Sequence, residues 1–120
     1  MINNILLQGE NHLEEVEQVQ HIANYLKKLG LVRSNRDFSV KMMDNCSTYF
    51  SVCKATHTIG QNSIGKLLKN LQQIEITGLF GNQIITDYQK KQIGELRNKV
   101  AVILRNKLSE KLQYNDLVIF

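Results

Sequence analysis

The stretch SNRDFSVKMMDNCSTYFSVCKA, Ser34 to Ala55, decides the fold. It opens with Ser34-Asn35-Arg36-Asp37, which resembles a capping box with Asp37 in the reaching-back position. Phe38, Met42 and Met43 follow at helical spacing and predict a short helix with one buried face. Asp44-Asn45 is a turn signal, because short polar side chains tolerate a positive φ. Ser47 to Ala55 predicts a second short helix that buries Phe50 and Cys53. Two short helices joined by a tight polar turn have the proportions of a helix-turn-helix.

Outward from this stretch, helical spacing dominates. Leu13, Val16, Val19, Ile22, Leu26 and Leu29 form one apolar stripe over residues 11–29. Acids occupy its first turns and Lys27 and Lys28 its last, as the helix dipole favours, and Gly30 is a natural stop. Downstream, Ser63 is placed to cap a fourth helix with Ile64, Leu67, Leu68 and Leu71 on its core face. Residues 74–81 read as a packed connector with room for a short strand. A long helix follows, from Asn82 or Thr86 to Leu112. The apolar ends, residues 1–9 and 117–120, read as docking segments or short terminal strands. The expectation is an all-α single domain over residues 1–120. It consists of an N-terminal helix-turn-helix bundle of about four helices, with its core at 27–71, and a long C-terminal helix.

The chain has 120 residues, no proline and a formal net charge of +4. The charge is uneven. Residues 1–26 hold four acids and no Lys or Arg, whereas residues 27–69 hold eight bases against Asp37 and Asp44. A basic middle third favours a polyanionic partner. No apolar run approaches the roughly 18 residues of a membrane span, and two cysteines without a signal segment fit the reducing cytoplasm. The spacing Cys46-x6-Cys53-x3-His57 lacks the paired close ligands of a zinc site. No glycine-rich phosphate loop, nucleophile–base pair or paired carboxylates are evident, so neither an enzyme activity nor a cofactor is expected.

Residues 27–71 resemble the Xre-type, lambda-repressor-like helix-turn-helix proteins. The likeness rests on Ser34-Asn35-Arg36-Asp37-Phe38-Ser39, Met43-Asp44-Asn45-Cys46, Ser47-Thr48-Tyr49-Phe50-Ser51 and Ser63-Ile64 with Leu67-Leu68 and Leu71. The chain is also similar to short bacterial proteins with a Ser-x-Tyr third helix. The resemblance implies that Cys46 caps the recognition helix and that Ser47, Thr48 and Ser51 face the major groove. It implies that Asn35 holds a phosphate, and that Arg33, Arg36 and Lys54 touch the DNA backbone. Hydroxyls reading base edges and cations holding phosphates are consistent with that division of labour. The chain departs from the family pattern in four places, one being a longer loop before Ser63. Asp44 stands where glycine is usual, Cys46 is a poor cap, and Lys54 is the sole base of the presumed recognition helix. A DNA-binding regulator or accessory protein is therefore one expectation. A protein-interaction or structural subunit of a larger assembly, on an inherited helix-turn-helix scaffold, is the other.

The last helix bears on assembly. About 27 residues would span roughly 40 Å. Ile93, Leu96, Val100 and Ile103 resemble alternating a and d positions of a short coiled coil, flanked by Lys99, Lys107, Lys111, Glu95 and Glu110. They predict a homodimer through residues 84–112, the competing arrangement being an intramolecular hairpin with the first helix.

Overall fold

The computed structural model describes the backbone of residues 14–119 and the side chains of residues 14–110. The expected segments at residues 1–9 and the side chains of 117–120 lie outside them. The chain forms an all-α fold: a helix-turn-helix-like bundle of four helices, a two-stranded hairpin and a long C-terminal helix. In order these are α1 (Glu15–Lys28), α2 (Asn35–Met43), α3 (Tyr49–Thr56), α4 (Gln61–Thr77), β1 (Leu79–Phe80), β2 (Gln83–Ile84) and α5 (Asp87–Ile119).

α1 buries Val16, Val19, Ile22, Ala23 and Leu26. Gly30 ends it at φ +79°, and the Leu31 amide turns back to the Leu26 carbonyl. Leu31 and Val32 then enter the core. Ser34 starts α2 by accepting the Asp37 amide at 3.1 Å. Asp37 reaches back one residue further than in a capping box and accepts from the Arg33 amide at 2.9 Å. Asp44 closes α2 in the left-handed conformation, φ 52°, which is the conformation the turn reading required.

Three boundaries differ from the sequence reading. α3 begins at Tyr49 with Thr48 at its cap, so Ser47 lies in the turn before it and Cys46 does not cap it. α4 begins at Gln61 with Gly60 at its cap, and Ser63 lies inside it, buried, with its hydroxyl on the Tyr49 hydroxyl at 2.7 Å. α4 also continues through Ile74 and Ile76 to Gly78, so the connector is confined to the hairpin, with Leu79 opposite Ile84 and Phe80 opposite Gln83. α5 is started by Thr86. Its hydroxyl accepts the Gln89 amide at 3.0 Å while the Gln89 side chain accepts the Thr86 amide at 2.8 Å. The backbone of residues 117–119 belongs to this helix.

Ile93, Leu96, Val100 and Ile103 are all buried within the chain, in one cluster with Leu67, Leu71 and the stripe of α1. Within one copy, these four side chains therefore pack in cis. α5 packs chiefly on α4 rather than on α1. Arg97 reaches Glu75 of α4 at 2.6 Å, and α1 adds the Tyr25 hydroxyl on Gln92 at 2.7 Å and Lys107 on Glu15 at 2.9 Å. Periodicity is the same for a helix packed in cis or in trans, so spacing could not choose between them. Among the described residues, no helix is long and apolar enough to cross a membrane.

Candidate nucleic-acid interface

The packing of α2 on α3 rests on two aromatic rings and one hydroxyl. Phe38 and Phe50 meet edge to face at 5.4 Å, both fully buried. Ser39, also fully buried, donates to the Asn35 carbonyl and accepts the Phe50 amide. The turn between the helices is held from behind by α4, where the Asn70 amide group donates to the Met42 carbonyl at 2.8 Å and approaches the Asp44 carboxylate at 3.4 Å. Asp44 itself is exposed. The start of α3 is pinned by Tyr49, whose hydroxyl receives both Ser63 and the Gly60 amide.

On this scaffold some of the expected site residues come together. Arg36 is exposed, and its guanidinium donates to the Ser47 hydroxyl at 3.4 Å, which sets the first turn of α2 beside the approach to α3. Thr48 is exposed with its hydroxyl 3.6 Å from the Cys46 sulfur. The Thr48 hydroxyl and the backbone amides of Thr48 and Tyr49 hold the Cys46 thiol below its ordinary range, against a smaller opposing effect of burial. Ser51 and Lys54 are exposed on α3, and Lys54 stands three residues beyond Ser51 on the same face.

Of the two other expected phosphate ligands, Asn35 is turned toward α1 and Arg33 is exposed. Asn35 exchanges hydrogen bonds with Gln20 at 3.0 Å in both directions and accepts from Lys27 at 2.9 Å. Its amide is therefore committed within the chain, and Lys27 is the cation this brings to the start of α2. The sequence marks Lys27 only as part of the basic end of α1, and does not mark Gln20. Their signal is the spacing Gln20, Asn24, Lys27, a polar stripe beside the apolar one on α1. Arg33 is almost fully exposed and shares Asp37 with Lys41, whose ammonium is 3.3 Å from the carboxylate.

A groove of about 610 Å³ opens behind the motif, lined by Arg33, Lys41, Asn70, Gln73, Leu79 and Phe80 among others, with the Lys41 ammonium 5.6 Å from the Phe80 ring centre. Cys46, Cys53 and His57 do not converge. Cys53 is in the core, Cys46 is exposed at the turn, and His57 pairs with Glu14 at 3.2 Å. Comparison with protein-family models, curated proteins and solved structures finds no match to this chain.

Proposed function

We propose that the protein binds double-stranded DNA, as a transcriptional regulator or an accessory DNA-binding protein, and that it acts as a homodimer in the cytoplasm of a bacterial cell. The observation that carries this reading is the contact of Arg36 with Ser47. It sets a cation at the start of one helix against the hydroxyl-bearing entry to the next, with Ser51 and Lys54 continuing the exposed face along α3. Cations and hydroxyls in that order suit phosphate positioning beside base edges.

The test is anisotropy of a labelled random duplex at two salt concentrations. Micromolar binding that collapses as salt rises supports the reading. The variant Arg36→Ala/Lys54→Ala should bind all sequences more weakly and with a flatter salt dependence. Absence of binding at low salt would overturn it. A second reading, a protein-interaction module, is favoured by the hairpin. Leu79 and Ile84 are cross-strand partners, and Ile84 and nearby Ile76 are 79% and 78% exposed.

A further inference from the structure

We propose that α4 carries a second line of DNA contacts, with Lys66 and Lys69 on the phosphate backbone and Asn62 and Gln73 flanking them. This inference rests on the DNA-binding reading and extends its surface from α2 and α3 to a third helix.

Asn62, Lys66, Lys69 and Gln73 follow one another at spacings of four, three and four, so they form a single stripe about 17 Å long. All four are exposed. The stripe runs opposite the core face of Ile64, Leu67, Leu71 and Ile74. α4 contains a single acid, Glu75, and Arg97 holds its carboxylate at 2.6 Å. Among the described residues, no carboxylate forms an ion pair with Lys66 or Lys69. By contrast, Arg33 and Lys41 share Asp37.

The stripe also adjoins the motif. Ser63, Lys66 and Asn70 share a side of α4. Ser63 touches Tyr49 at the start of α3, and Asn70 touches Met42 and Asp44 at the end of α2. Lys66 therefore stands in sequence between two anchors of the turn, and with Asn62 and Lys69 it lines a groove bounded by Leu104 and Leu108 of α5. α3 offers one cation and no amide, so a duplex seated on it alone would be held weakly. The α4 stripe supplies two cations and two amide side chains alongside.

The experiment compares four proteins on one labelled 20-base-pair duplex from 50 to 200 mM salt. They are the wild type, Lys66→Ala/Lys69→Ala, Arg36→Ala/Lys54→Ala, and Lys99→Ala/Arg105→Ala on the outward face of α5 as a charge control. Circular dichroism melts confirm that each is folded. Two lost phosphate contacts should lower the salt slope by about 1.8, so the wild type's affinity loss across that range should exceed the α4 variant's by about tenfold. The control should keep the wild-type slope. A wild-type slope in the α4 variant, with Arg36 and Lys54 still required, would overturn the α4 contact and leave the motif reading intact. An equal loss in the control would reduce the effect to overall charge and also overturn it. Failure of the wild type to bind would overturn both.

Discussion

The Ser39 hydroxyl accepts the Phe50 backbone amide at 3.1 Å, and this bond joins α2 to α3 at a fully buried point. The same hydroxyl donates to the Asn35 carbonyl at 3.0 Å, so one side-chain oxygen serves both helices. Phe50 lies in the first turn of α3, where amides lack a partner within the helix. Ser39 replaces the water that such an amide would otherwise need. The relative setting of the two helices is thus fixed by a directional bond as well as by the Phe38–Phe50 ring contact.

Replacing Ser39 by alanine should cost about 1–3 kcal/mol, because the Phe50 amide is left buried without an acceptor. Valine, larger and equally unable to accept, should be no better. Urea denaturation of the three proteins measures this. Unchanged midpoints would mean that the amide finds another partner.

Two glycines inside helices mark positions where stability can be gained. A Cβ on Gly65 of α4 would meet nothing within 4 Å, and one on Gly94 of α5 would meet the Glu75 carboxylate at 3.6 Å, an ordinary contact. Each Gly→Ala change should stabilise the fold by about 0.5–1 kcal/mol, since alanine loses less backbone freedom in a helix. A rise in thermal midpoint is the expected readout. A fall for Gly94→Ala would show that Arg97 and Glu75 are displaced by the added methyl.

Asp37 sets the acid limb of stability. Burial alone would raise its carboxyl, but the Arg33 amide, the Lys41 ammonium and the Arg33 charge outweigh burial and hold it below the usual range. A carboxyl depressed in the folded state stabilises above its unfolded value, about 3.9, and that contribution is lost as pH falls through the folded value. Asp37→Asn should therefore be less stable than the wild type from pH 5 upward. The gap should begin to close below about pH 4, where the carboxyl of the unfolded chain takes up a proton, and should be gone once pH has fallen through the lower folded value. A gap independent of pH would assign the loss to geometry alone.

Local signals were legible in the sequence, and distant ones were not. Gly30, Ser34 and Asp44 act on their own backbone, so residue type was enough to place them. Phe38, Met42, Phe50 and Cys53 followed from helical spacing and are buried. Ser63 was misread as a cap because a hydroxyl before an apolar run has that local signature, whereas its partner, Tyr49, is fourteen residues away. The hairpin strands have two residues each, too short for alternation to register. Asn35 was assigned outward because nothing local reveals that Gln20, fifteen residues earlier, faces it. Of the candidate interface, Arg36, Ser47, Thr48, Ser51 and Lys54 are legible as polar positions on, or just before, short helices. The stripe on α4 is not legible in the sequence, because polar residues at helical spacing opposite an apolar face are what any solvent-facing side carries.

Cys46 offers the most direct probe of the turn in solution. It is exposed, whereas Cys53 is in the core, so a disulfide reagent such as DTNB should titrate one thiol rapidly in the native protein and both after unfolding. The Thr48 hydroxyl and the amides around the sulfur favour the thiolate, so the pH midpoint of its reaction should lie below that of the unfolded chain. Thr48→Val removes the first of these contacts and should move the midpoint back up. Cys46→Ser should abolish the fast phase with little change in stability, because Cys46 is exposed and lies two residues before Thr48, the cap of α3. Equal midpoints in the folded and unfolded protein would mean that the approach to α3 does not hold the sulfur against Thr48. Two fast thiols would place Cys53 outside the core, against the packing of α3 on α2.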